Sequence, residues 1–224
     1  MHPIFSDFQD DKAKLASSYE RIVRILSFIG LPMSVLLFFT AQEVTLIIFG
    51  NQWLPSVPVF RILSLSVGAQ IIHSSSGSIF QAAGDTRSLF ICGVFSSTLN
   101  VAGMLIGIFY FGTLTAVATC IVLTFTVNFV QCYWQMYHVT FRRKVWTFVR
   151  QLLSPLAVSG LMTACLLPVQ YTTEGMNIFV TIITKSIISF IIFGGYIQAT
   201  HEYDIIGKVK KIAGKYIKKQ NKQL

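Results

Sequence analysis

Polar side chains recur at helical spacing inside three long apolar stretches of this sequence. Ser66, Gln70, His73, Gly77 and Gln81 follow steps of four, three, four and four. Gly93, Ser97, Asn100 and Gly107 follow four, three and seven, and Thr124, Asn128, Gln131 and Gln135 follow four, three and four. Each set lies along one face of a helix with 3.6 residues per turn. Amides, hydroxyls and an imidazole in such stripes either hydrogen-bond between helices or line a wet passage through an apolar medium. Three stripes on consecutive segments favour the passage, because one bundle contact needs fewer polar groups. Gly103 and Gly107, at GxxxG spacing, suit close helix packing.

Three charges, Glu43, Arg61 and Lys185, also sit within apolar stretches. A charge at mid-bilayer costs about 3 kcal/mol or more, so it faces protein or water, or snorkels outward. Arg61 is near the start of its stretch and within reach of the outer interface. Glu43 offers Arg61 a partner across a short loop. Lys185 is about eight residues deep, roughly 12 Å at helical rise, and either binds an anionic group or snorkels. His73 reads as a proton relay or as a hydrogen-bonded structural histidine. The expected cavity lining is therefore Gln70, His73, Asn100, Asn128 and Gln131, with Arg61 and Lys185 as anion partners.

Catalysis is not expected. There is no HExxH, no Gly-rich phosphate loop with Lys, no GxSxG and no close carboxylate pair near an apolar stretch. No cofactor or metal is expected either. Cys92, Cys120, Cys132 and Cys165 all fall within apolar stretches without a CxxC, and read as small packing residues.

The elements that carry these residues follow from charge-free length. No Asp, Glu, Lys or Arg occurs from Ser88 to Phe141. A bilayer core of about 30 Å takes roughly 20 apolar residues per helical crossing, so this stretch makes two, hinged at Gly112–Thr113. With 53% hydrophobic and 12% charged residues, the chain reads as an all-α, polytopic transmembrane bundle. Six spans are expected: Ile25–Phe49, Val57–Ala83, Ser88–Phe111, Leu114–Met136, Leu152–Val169 and Asn177–Thr200. Barrel strands would instead alternate in short segments.

The net charge of +9 is sorted rather than spread. Apart from Arg61 and Lys185, every one of the 18 basic residues falls on one side of a six-span topology, and the opposite loops carry none. The positive-inside pattern puts both termini in the cytoplasm and disfavours a nucleic-acid partner. Asp7, Asp10 and Asp11 precede the first span and no cleavage site follows it, so it is a retained helix.

Residues 1–24 read as an amphipathic lead-in, and 25–136 as four membrane helices. Residues 137–151 form a basic cytoplasmic connector with Trp146 and Phe148, 152–200 two further spans, and 201–224 a basic tail on the inner leaflet. Pro32 kinks the first span, as a packing kink or as a hinge.

The runs Pro3–Ser6, Gln9–Asp11, Lys14–Leu15 and Tyr19–Arg21, then Gly30–Pro32, Ala41–Glu43, Phe49–Trp53, Pro58–Leu63 and Gln81–Thr86, carry a family resemblance. Their order and spacing resemble the bacterial polysaccharide and O-antigen flippases, which serve lipopolysaccharide biosynthesis within the multidrug/oligosaccharidyl-lipid/polysaccharide exporter superfamily. Beyond Thr86 only hydropathy and spacing match. The resemblance implies the C-terminal portion of a protein that turns lipid-linked oligosaccharide across the inner membrane by alternating access between two lobes. The bilayer and the lipid-linked glycan are then its partners, together with a missing N-terminal lobe. A multidrug-type exporter of the same superfamily and a non-transporting membrane scaffold are the alternatives.

Overall fold

In a computed structural model, described here for residues 12–173 and 175–200, the chain is a bundle of long helices. The helices are α1 (Lys12–Ile48), α2 (Val57–His73), α3 (Ser76–Ala82), α4 (Thr86–Ile106), α5 (Leu114–Gln135), α6 (Trp146–Thr172) and α7 (Ile178–Thr200). A 3-10 turn, Asn51–Ser56, leads into α2, and α4 and α5 each run on into one wider π turn, Gly107–Phe111 and Met136–Thr140. Among the described residues, six helical stretches are long and apolar enough to cross a membrane. Phe109, Tyr110, Leu114, Phe90 and Phe190 stand exposed on the outside of the bundle, as lipid-facing side chains do.

α1 is the central element, packing against α2, α6 and α7, while α2 also packs on α5 and α5 on α4. Small residues let α1 and α2 touch. A Cβ on Gly30 would sit 3.1 Å from the Gly68 carbonyl oxygen, and one on Gly68 would sit 2.9 Å from Leu31 Cδ2. Ser34 Oγ lies 2.6 Å from the Gly68 nitrogen at the same crossing. In lipid, where the hydrophobic effect does not drive helices together, such close approach supplies the van der Waals contact. Gly103 and Gly107 pack α4 against α5 in the same way, each facing Thr124 or Val117 with no room for a side chain.

The first span begins earlier than hydropathy alone indicates. α1 is 37 residues long, about 55 Å, and passes through Pro32 without interruption. Its early part is buried by tertiary contact: Leu15, Tyr19 and Val23 pack with Ile72, Phe80, Tyr133, Met136, Tyr137 and Phe148 in the main core. The surface-lying amphipathic helix expected over 1–24 therefore inserts its Leu15–Val23 face into the bundle; residues 1–11 lie outside the described residues, as does the basic tail 201–224.

The second span is broken. After His73 the chain turns at Ser74–Ser75 before α3 begins. Ser74 Oγ and Ser75 Oγ donate to the carbonyls of Ile71 and Ile72, at 2.7 and 2.8 Å. Consecutive serines offer carbonyls an alternative to the helical ladder, which loosens it. Tyr133 Oη also donates to the Ile72 carbonyl at 3.1 Å and contacts Tyr19 Oη at 2.9 Å. Gly77 and Gln81 thus lie on α3, and the five-residue stripe expected across one helix is divided between two.

The connector is shorter than its composition indicates. Helical structure runs through Thr140 and resumes at Trp146. Arg142, at φ 52°, turns the chain, and the Arg143 amide donates to the Tyr137 carbonyl at 2.9 Å. Asp85 fastens this end. One carboxylate oxygen caps α4 at the Ser88 amide (3.0 Å) and the other accepts from Thr140 Oγ1 (2.7 Å).

Candidate functional site

Two polar regions lie within the bundle. The first is at the end carrying the 49–56 and 173–177 loops. Lys185 Nζ, on α7, donates to Glu43 Oε1 at 2.6 Å and to the Phe39 carbonyl at 2.8 Å, both on α1. Residues 39 and 43 are one helical turn apart on one face, so a single ammonium meets both. Lys185 is only 3% exposed.

This arrangement corrects two expectations. Glu43 pairs with Lys185 rather than Arg61, because α1 packs against α7 as well as α2 and the lysine stem spans that contact. Lys185 does not snorkel; its head is buried against two acceptors. Arg61 instead lines a cavity of ≈ 370 Å³ beside the pair, together with Gln42, Gln170, Thr173 and Thr181. Its Nε is buried without a hydrogen-bond partner among the described residues.

The second region lies among α2, α4 and α5. His73 packs edge-on to Phe125 (5.7 Å between ring centres) and near Phe129 and Tyr133 (6.4 Å each). Its Nδ1 is buried with no hydrogen-bond partner among the described residues, so the hydrogen-bonded structural histidine expected from sequence is ring-packed on that side instead. A cavity of ≈ 240 Å³ opens beside it, lined also by Cys92, Gly93, Ser96 and Ser97. Asn128 is buried, and neither side-chain atom has a partner among the described residues. Gln131 Nε2 donates to Gln135 Oε1 at 2.7 Å, while Gln131 Oε1 has no partner among them.

The remaining stripe residues divide between packing and exposure. Asn100 Oδ1 accepts from Thr124 Oγ1 at 3.0 Å, an interhelical bond between α4 and α5. Gln70 is exposed and bonds Ser66 along its own helix at 2.8 Å. Gly93 and Ser97 are exposed as well. Pro32 lies away from both polar regions, in an apolar cavity of ≈ 330 Å³ with Phe28, Met162 and Phe193. The Glu43–Lys185 pair was missed because it joins residues far apart in sequence. Its one sequence signal is depth: Glu43 lies about one and a half turns and Lys185 about two turns from helix ends at the same end of the bundle.

A bundle of this kind, apolar outside with polar and charged groups held between helices, defines a multi-pass membrane protein. A family model described as "Polysaccharide biosynthesis protein" matches residues 1–58. An uncharacterized membrane protein in the cps region of Klebsiella pneumoniae is 27% identical over 82 residues, covering 37% of this chain and 17% of that protein. The lipopolysaccharide biosynthesis protein WzxC of Escherichia coli K12 is 23% identical over 107 residues (48% of this chain, 22% of WzxC). The teichuronic acid biosynthesis protein TuaB of Bacillus subtilis 168 is 21% identical over 173 residues (77% of this chain, 35% of TuaB).

Among solved structures, the lipid II flippase MurJ in an inward closed conformation superposes with a TM-score of 0.67 at 15% identity, over 88% of this chain and 41% of MurJ. The chain has the MurJ-like fold, and its resemblance to the polysaccharide flippases of the multidrug/oligosaccharidyl-lipid/polysaccharide exporter superfamily is upheld. It spans less than half the length of each of these relatives.

Proposed function

We propose that this chain is the C-terminal portion of a flippase that moves lipid-linked oligosaccharide across the bacterial inner membrane for surface polysaccharide biosynthesis. Both termini lie in the cytoplasm, and transport proceeds by alternating access against an N-terminal lobe. The observation that carries the reading is the placement of polar groups on α2, α4 and α5. Gln70, Gly93 and Ser97 are exposed, and His73, Asn128 and Gln131 hold unpartnered polar atoms among the described residues, whereas the rest of the bundle exterior is largely apolar. Polar groups facing hydrocarbon are costly, so such a surface belongs against water or another lobe.

The polar surface would form one wall of a glycan path, with Gln70, His73 and Gln131 along it, Asn100 and Asn128 packed behind it, and Arg61 supplying positive charge toward the outer end, where Lys185 is held by Glu43. Deleting the gene in its native host tests this. Lipid-linked oligosaccharide should accumulate on the inner leaflet and surface polysaccharide should fall. Unchanged surface polysaccharide with no accumulated intermediate overturns the reading.

A further inference from the structure

Cys92 on α4 and Cys132 on α5 meet where the two helices pack. Their thiols are hydrogen-bonded to each other, and both line the ≈ 240 Å³ cavity beside His73. Neither is in a disulfide. The helices are fastened on either side of the pair. Asp85 on the α4 side bonds Thr140 at 2.7 Å beyond one end, and Gly103 meets Thr124 beyond the other. The two sulfurs are thus kept opposed without a bond between them.

A thiol sealed in hydrocarbon packs as a small apolar group and stays inert. This pair differs because the cavity wall includes Gly93 and Ser97, which are exposed on the outside of α4, so a small uncharged molecule can reach the sulfurs. Cys92 is 7% exposed and Cys132 1%, and Cys92 is met first. The Cys92 thiol donates to Gln135 Oε1 at 3.5 Å, and the Gln131 side chain hydrogen-bonds the same sulfur. An amide donor there stabilises the charge that the sulfur develops on attack.

We propose that Cys92 and Cys132 are a peroxide-oxidised disulfide site. The Cys92 sulfur attacks one oxygen of hydrogen peroxide, the O–O bond breaks, and Cys92 becomes a sulfenic acid as one water leaves. The Cys132 sulfur then attacks the Cys92 sulfur, the S–O bond breaks, and the hydroxyl departs with the Cys132 proton as a second water. Two electrons pass from the sulfurs to the peroxide, and both thiol hydrogens end in water. The new bond ties α4 to α5 covalently, and a thiol reductant reverses it. The site goes beyond the flippase reading and does not rest on it.

The test uses the 224-residue chain in lipid nanodiscs, reduced, freed of reductant and exposed to hydrogen peroxide. Remaining thiols are then alkylated under denaturing conditions. The intact chain should lose about 2 Da before alkylation. Peptide mapping should place the bond between residues 92 and 132, with Cys120 and Cys165 alkylated, and dithiothreitol should restore alkylation at all four. Cys132→Ser should stop the reaction at a Cys92 sulfenic acid that dimedone traps, and Cys92→Ser should abolish the bond. Alkylation of both Cys92 and Cys132 after excess peroxide overturns the proposal. So does a bond between any other pair, or a sulfinic acid at Cys92 in the unaltered chain. Should a serine variant not fold, the peptide map of the unaltered chain decides.

Discussion

Lys185 and Glu43, 142 positions apart in sequence, meet at 2.6 Å and tie α7 to α1 in the interior of the bundle. The contact is buried on both sides, so its removal has an energetic sign that depends on how it is removed.

Deleting one partner leaves the other charged and unpaired in a low-dielectric site. Glu43→Ala and Lys185→Ala should each destabilise the folded protein by about 3–5 kcal/mol, whereas Glu43→Gln combined with Lys185→Met should cost markedly less than the sum of the two. Thermal unfolding of detergent-solubilised protein measures all three. Additive losses would show that the pair does not act as a unit.

Gly103 fixes how closely α4 and α5 approach. A Cβ there would lie 2.3 Å from Thr124 Cγ2. Thr124 cannot readily rotate away, since its hydroxyl bonds both Asn100 Oδ1 and the Ile121 carbonyl at 3.0 Å. Gly103→Ala should therefore cost about 1–3 kcal/mol despite the better helix propensity of alanine. Adding Thr124→Ser removes the obstructing methyl, keeps the hydroxyl and should restore most of the loss in the same unfolding assay.

Tyr133 Oη links α1 to the break after α2, contacting Tyr19 Oη at 2.9 Å and the Ile72 carbonyl at 3.1 Å. Tyr133→Phe should lower stability by about 1–3 kcal/mol by stripping partners from buried groups. Tyr19→Phe, which removes the contacts of Tyr19 Oη with Tyr133 and with Ser75 Oγ (3.2 Å) but leaves the bond to Ile72 in place, should cost a comparable amount. The ratio of the two shifts in melting temperature is the readout.

Asn128 separates packing from transport. Both of its side-chain polar atoms are buried and unpartnered among the described residues, so a structural role is poorly rewarded. Asn128→Leu should leave thermal stability equal or higher while reducing surface polysaccharide in cells that depend on the chain. Loss of stability with normal export would assign Asn128 to packing.

The sorted charges make a topological prediction. Cysteines placed one at a time at Ser56 and Arg143, in a background lacking the native four, should react with an impermeant thiol reagent only from outside and only from inside, respectively. Labelling of Arg143→Cys from outside would invert the topology.

The six crossings were legible because span length is a local property, set by the match between an apolar run and the bilayer core. The interruption of the second span was written in Ser74–Ser76 but was hidden by hydropathy, which does not register hydroxyls bonding back to carbonyls. The lead-in at Leu15–Val23 looked like a surface helix because its polar residues dominate its composition. Its burial depends on Tyr133, Tyr137 and Phe148 arriving from distant segments.

By itself the sequence determined the helical class, the number of the spans, the sorting of basic residues and the resemblance carried by Pro3–Thr86. Only the tertiary structure decided which polar groups are satisfied, that Glu43 belongs to Lys185, and that Arg61 is left facing a cavity. The physical reason is azimuth. A periodic stripe says that residues share a helix face, but which neighbour that face meets depends on how closely the helices approach and cross. Contacts such as Gly30 against Gly68 set that, and their two halves lie on different helices.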